Sequence, residues 1–127
     1  MEKQPGIYHA AIALAKLVNS IVRHWPRGYK NNEGQEMRRA ATEVVKNILE
    51  ANRAQNGSEQ RRYFQQAVGD NIALIEATIA IVNDSKTCIK TPTGQRWERL
   101  ISAKTEVRLQ GAISCVSKQL YGWRRVS

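Results

Sequence analysis

The chain is short of the residues that mark a stapled, membrane-spanning or metal-dependent protein. It has only two cysteines, Cys88 and Cys115, in 127 residues. They form no paired metal-binding spacing, and free reduced thiols are expected. No apolar run approaches the roughly 18 residues that a membrane-crossing helix needs. The opening "MEKQPGIYHA" lacks the charged, then apolar, then small-residue order of a signal peptide, so a cytoplasmic protein is expected. Only 3 prolines and 8 glycines occur, and most cluster at a few breakpoints, leaving long uninterrupted stretches. Acidic residues are scarce too, 11 against 20 lysines and arginines, for a net charge of +9.

Catalytic signatures are equally thin. His9 and His24 are solitary, and no Glu-x-x-His occurs, which excludes the di-iron bundle pattern. There is no glycine-rich phosphate loop and no Gly-x-Ser-x-Gly. Glu43 and Glu50 share a helix face, but a carboxylate pair in a basic helix reads as charge balance. A protein without catalytic residues, metal or cofactor is expected. The positive balance favours a polyanionic partner: nucleic acid, an anionic membrane surface or an acidic protein.

What is present is helical periodicity. The composition, 42% hydrophobic and 24% charged, is that of an ordered globular chain, and its length suits one domain, residues 1–127. Breaks fall at "WPRGYKNNEG" (Trp25–Gly34), "AQNGSE" (Ala54–Glu59) and "DSKTCIKTPTGQ" (Asp84–Gln95). Ser58 suits a helix N-cap, and Thr91 suits one followed by Pro92 at the first helical position. Helices are expected over residues 6–25, 34–54, 58–84 and 92–123.

Apolar spacings of three and four define a core face on each. These are Ile7, Ala11, Leu14, Val18, Ile21 and Trp25; then Met37, Ala41, Val44, Ile48 and Ala51. The third face is Tyr63, Ala67, Leu74, Thr78 and Val82, widened by Phe64, Asn71 and Ile75. The fourth is Ile101, Thr105, Leu109, Ala112, Val116, Leu120 and Trp123. Burial is expected at Ile48 and Leu74 in particular. Asn47, Asn52 and Asn71 lie on or near these faces, where buried amides need partners and could fix helix register. No stretch shows sustained strand-like alternation. The expected fold is all-α, an up-down-up-down antiparallel four-helix bundle.

The remaining faces carry the functional signal. Arg39, Lys46 and Arg53 stand seven apart, opposite the second core stripe, and form a basic ridge. Lys16 and Arg23 repeat the pattern on the first helix. Arg96, Lys104, Lys118 and Arg125 share one side of the last segment. From Lys86 onward there are 9 basic and 2 acidic residues. Two readings stay open: phosphate contact along the ridges, or solvated faces with weak intrahelical pairs to Glu43 and Glu50. The third helix differs. Gly69, Ala73, Ala77 and Ala80 line its expected back, small enough for close approach of another protomer. Val45 and Leu49, off the second core stripe, point the same way. Alanine is also simply a good helix former, but glycine in mid-helix costs about 1 kcal/mol.

Three short segments resemble a known family. "MRRAATEVVKNILEA" (Met37–Ala51) is similar to the Arg-Arg-Ala-Ala…Asn-Ile-x-Glu signature of small four-helix-bundle proteins encoded in 23S rRNA intervening sequences. "RYFQQAVG" (Arg62–Gly69) is similar to that family's aromatic-apolar segment, and "KQLYGWRR" (Lys118–Arg125) resembles the Leu-x-Gly-Trp ending of the accessory variability determinants of diversity-generating retroelements. Val45 and Ala51 replace the proline and glycine usual in the rRNA-associated members, and Asp70-Asn71 follows Gly69 where those members carry Ser-Leu. The accessory-determinant resemblance implies a homopentameric barrel of bundles. It would bind a reverse transcriptase and its template RNA, with DNA a second candidate, in support of mutagenic cDNA synthesis. The match of Arg38 and Arg62 to the family's bundle signature implies structural roles for both. The alternatives are an intervening-sequence-type bundle and a helical scaffold for an acidic protein.

Overall fold

In the computed structural model of the chain, the backbone is described for residues 6–84, 86–91 and 94–126, and the side chains for residues 6–84 and 99–126. Four long helices dominate: α1 (Gly6–Val22), α3 (Glu33–Arg53), α4 (Glu59–Asp84) and α5 (Ala103–Val126). A one-turn helix α2 (Arg27–Asn31) lies inside the first expected break. α1 packs against α3 and α5, and α4 packs against the same two helices, so the four close a ring. The core inside it includes Leu14, Val18, Met37, Val44, Ile48, Ile75, Leu109 and Val116, all fully or almost fully buried. Among the described residues no helix is long and apolar enough to cross a membrane.

Local chemistry explains the boundaries. Gly57, in the Asn-Gly turn, has φ +75°, a backbone conformation open to glycine at little cost. The next residue, Ser58, caps α4: its Oγ accepts from the Arg61 backbone N–H at 3.1 Å. Gly34 is demanded by close approach. A Cβ there would lie 2.5 Å from Val22 Cγ1 and 3.4 Å from Trp25 Cε3, so a side chain would push the start of α3 off the end of α1.

The last expected helix, 92–123, is corrected. Residues Lys86–Thr91 (β1) and Gly94–Arg99 (β2) pair antiparallel, from Lys86 opposite Arg99 to Thr91 opposite Gly94. Thr87, Ile89 and Thr91 place β-branched residues at every second position of β1, a strand signal too short to stand out beside the helical periods. Thr91 is the last residue of β1 rather than the start of a helix, and Pro92 lies outside the described residues. α5 starts eleven residues later than expected, where Ser102 Oγ accepts from the Thr105 backbone N–H at 3.2 Å.

The third core face is corrected in part: Ile75, Thr78 and Val82 are buried as expected, and the rest of the face is not. α4 buries Gln65, Val68, Ile72, Ile75, Thr78, Ile79 and Val82. Tyr63 is 69% exposed and Leu74 40% exposed, and Ala67, Phe64 and Asn71 are only half-buried. α4 is apolar on two sides, and the branched Val68/Ile72/Ile75/Ile79/Val82 stripe outcompetes the Tyr63/Ala67/Leu74 stripe for the interior. The other three faces hold with small shifts: Ile21, Thr105, Ala112 and Trp123 are half-buried, Ala40 and Ile113 join the core, and Ile101 is buried just ahead of α5. The amides do not set register through these bonds. Asn47 donates to the Glu43 carbonyl at 2.7 Å and Asn71 to the Ala67 carbonyl at 2.9 Å, each within its own helix.

Candidate nucleic-acid interface

Burial of one helix face leaves its opposite face to water, and on three helices that face is basic. Arg39, Lys46 and Arg53 are all exposed on α3, opposite Met37, Val44 and Ile48. Lys16 is exposed on α1, and Arg23 is exposed in the turn that follows it. Lys104, Lys118 and Arg125 are exposed on α5, opposite Leu109, Val116 and Leu120. Arg96 falls in β2, and its side chain lies outside the described residues.

Charge pairing on these faces is light. Lys46 Nζ sits 3.9 Å from Glu43 Oε1, and Arg53 Nη1 sits 3.3 Å from Glu50 Oε1. Both cations remain about two-thirds exposed or more, at 66% and 72%. Exposed pairs of this kind hold their partners by roughly 1 kcal/mol or less, so a phosphate can compete for the cation. Among the described residues, Lys16, Arg23, Arg39, Lys104 and Lys118 have no carboxylate within ion-pair distance. Arg39 lines an open groove at the start of α3 with Asn31, Gln35, Arg38, Thr42 and Glu43. Arg38 is half-buried, and its Nε has no hydrogen-bond partner.

A second cluster was not legible on any single helix. The Arg61 guanidinium of α4 stacks 5.3 Å from the Trp123 ring of α5, and Arg125 lies 5.7 Å from the Tyr121 ring. Arg124 Nη2 donates to Gln66 Oε1 at 3.3 Å, tying the end of α5 to α4. These contacts join the start of α4 to the end of α5, and Arg61 Nη1 also donates to the Ala54 carbonyl at 3.2 Å. Arg61 escaped the sequence reading because its ring partner Trp123 is about sixty residues away. The only available signal was composition, "RR" opening α4 and "YGWRR" closing α5. Arg62 donates to the Gly57 carbonyl at 3.2 Å and so helps close the turn before α4.

The residues expected at a protomer contact divide. Ala73, Ala77 and Ala80 are exposed along α4, and the same outward face carries Tyr63, Leu74 and Ile81, the last 60% exposed. Gly69 is not on that face. It is half-buried against α5, where an added Cβ would meet Leu120 Cδ2 at 3.7 Å. The error follows from the misread phase of α4, which rotates Gly69 from the back to the flank. Val45 and Leu49 are half-buried, and Val45 packs against the core.

Cys115 is a free, exposed thiol, and Cys88 lies in β1 with its side chain outside the described residues. Among the described residues no three His, Cys, Asp or Glu side chains come together to hold a metal ion. Comparison with protein-family models, with curated proteins and with solved structures finds no match.

Proposed function

We propose that the chain is a non-enzymatic, nucleic-acid-binding accessory protein of the accessory-variability-determinant type. In this reading the long helices run up-down-up-down, and copies assemble into a homo-oligomer, a pentamer by the family resemblance. The assembly binds template RNA and a reverse transcriptase during mutagenic cDNA synthesis. The observation that carries nucleic-acid binding is the basic outward surface of α1, α3 and α5, most of whose cations lack an acidic partner. Self-association is supported by the exposed apolar residues Tyr63, Ala73, Leu74, Ala77, Ala80 and Ile81 on the outside of α4, a strip interrupted by Gln66 and Asp70, because exposed apolar patches mark contact surfaces.

The test is a filter-binding titration with structured RNA. If about five phosphates on a single strand are neutralised, affinity should fall on the order of a hundredfold between about 50 and 200 mM salt. Reversing Arg39, Lys46 and Arg53 to glutamate should abolish most binding with no change in helical content. Equal binding by wild type and variant removes the α3 ridge from the interface. No binding by wild type at low salt favours the acidic-protein scaffold. The flanking DNA separates the two bundle families: a neighbouring reverse-transcriptase gene with paired repeats supports the accessory reading, and a location inside an rRNA gene supports the intervening-sequence reading.

A further inference from the structure

Charge is shared unevenly among the long helices. From Tyr63 to Asp84, α4 has no lysine or arginine, in a chain with 20 of them. Its exposed carboxylates Asp70, Glu76 and Asp84 have no ion pair among the described residues. Successive helical residues turn about 100°, so Asp70, Leu74, Ala77, Ile81 and Asp84 share one outward face. That face is apolar in its middle and acidic at both ends.

α5 carries the opposite sign. Lys104, Val107, Gly111, Ser114, Lys118 and Tyr121 share its outward face, and all of them are exposed. The one carboxylate of α5, Glu106, is half-buried and held by Arg99. Val107 is 72% exposed and Tyr121 68%, so this face also shows apolar surface to water. Nothing within the chain crowds Gly111, where an added Cβ would meet no atom within 4 Å. Glycine weakens a helix interior relative to alanine, and close approach of a second backbone is a reason to keep it there.

The two faces match in length. Asp70 and Asp84 stand fourteen residues apart, as do Lys104 and Lys118, about 21 Å on a helix rising about 1.5 Å per residue. We propose that the α4 face of one copy docks antiparallel on the α5 face of the next. With Ala77 against Gly111, Asp84 meets Lys104, Ile81 meets Val107, and Asp70 meets Lys118. The same alignment sets Tyr63 opposite Arg125, a ring and a cation, whereas a parallel one runs Tyr63 past the start of α5. Two α4 faces together would set carboxylate against carboxylate, and two α5 faces lysine against lysine. The apolar centre supplies affinity, and the charges select the partner face. The proposal rests on the self-association reading and names the surface that the α4 strip meets. Each copy offers one face of each kind, so the contact is head-to-tail and repeats until a ring closes. It uses none of the α1 or α3 cations, which stay available to a polyanion.

The test mixes two blocked copies of the full chain. Ala77→Arg blocks the α4 face and Gly111→Arg the α5 face, with helical content checked by circular dichroism. At tens of micromolar, where wild type should be an oligomer, each variant alone should scatter light as one chain. An equal mixture should give a two-chain species, because one intact contact remains. Separately, Ala73→Cys should form an intermolecular disulfide with the exposed native Cys115 under oxidised glutathione, and Cys115→Ser should abolish it. If Ala77→Arg is monomeric but Gly111→Arg still assembles, the α5 pairing falls while the self-association reading stands. Two monomeric variants that fail to combine overturn the pairing in the same way. A monomeric wild type overturns the reading and the pairing together. A disulfide to Cys115 from Ile81→Cys in place of Ala73→Cys overturns the antiparallel direction.

Discussion

α3 and α4 make the most extensive helix pair in the molecule, yet they solve opposite surface problems. α3 buries Met37, Ala41, Val44 and Ile48 and turns Arg39, Lys46 and Arg53 to water. α4 buries Val68, Ile72, Ile75 and Ile79 and still leaves Tyr63, Leu74 and Ile81 outside. One helix is amphipathic in the ordinary sense, and the other is apolar on two faces. A helix of the second kind either wastes apolar surface or covers it with a partner. The two neighbours thus give the outside of the bundle a basic face on α3 and a partly apolar face on α4.

The largest expected effect lies in the shared interior. Ile48→Ala should destabilise the fold by about 2–5 kcal/mol, measured by denaturant unfolding with an unchanged slope. A midpoint equal to that of wild type would mean that the α3 stripe is not the core. Next comes the α4 face. Ile81→Arg or Ala73→Arg should reduce the mass seen by light scattering to that of one chain, with helical content intact. A wild type already monomeric at tens of micromolar would end the assembly reading and leave the apolar face unexplained. Gly69→Ala should raise stability by roughly 0.5–1 kcal/mol, because the helix gains propensity and the new methyl meets Leu120 at 3.7 Å, an ordinary contact. A loss of stability would show that the flank of α4 is tighter than this geometry indicates. The smallest effect is expected at Leu74→Ala in the isolated chain, within about 0.5 kcal/mol. A loss near that of Ile48→Ala would restore Leu74 to the core and rotate α4 back to the other phase.

Legibility followed from how many faces of each segment were apolar. On α3 a single stripe and a charged back left one phase, so Arg39, Lys46 and Arg53 could be set on the outside from spacing alone. On α4 two stripes competed, and the choice went to Tyr63 and Leu74. Spacing counts apolar positions, but a core selects for shape and volume against its neighbours. The isoleucine-rich stripe fills the interior, and tyrosine keeps its hydroxyl in water. The hairpin was missed for a related reason. Six-residue strands give three alternations at most, whereas a helix of twenty residues repeats its signal five times.

The sequence by itself determined three of the long helices and the body of the fourth from Ala103 on, three of their four buried faces, the turn at Asn56-Gly57 with its Ser58 cap, and the basic backs of α1, α3 and α5. All of these depend on neighbours within about a turn or two along the chain, which spacing encodes directly. Only the tertiary structure decided which face of α4 turns inward, that Arg61 meets Trp123, and that Gly69 faces Leu120. Those pairings join positions far apart in the chain, and they are settled by which surfaces pack together in space.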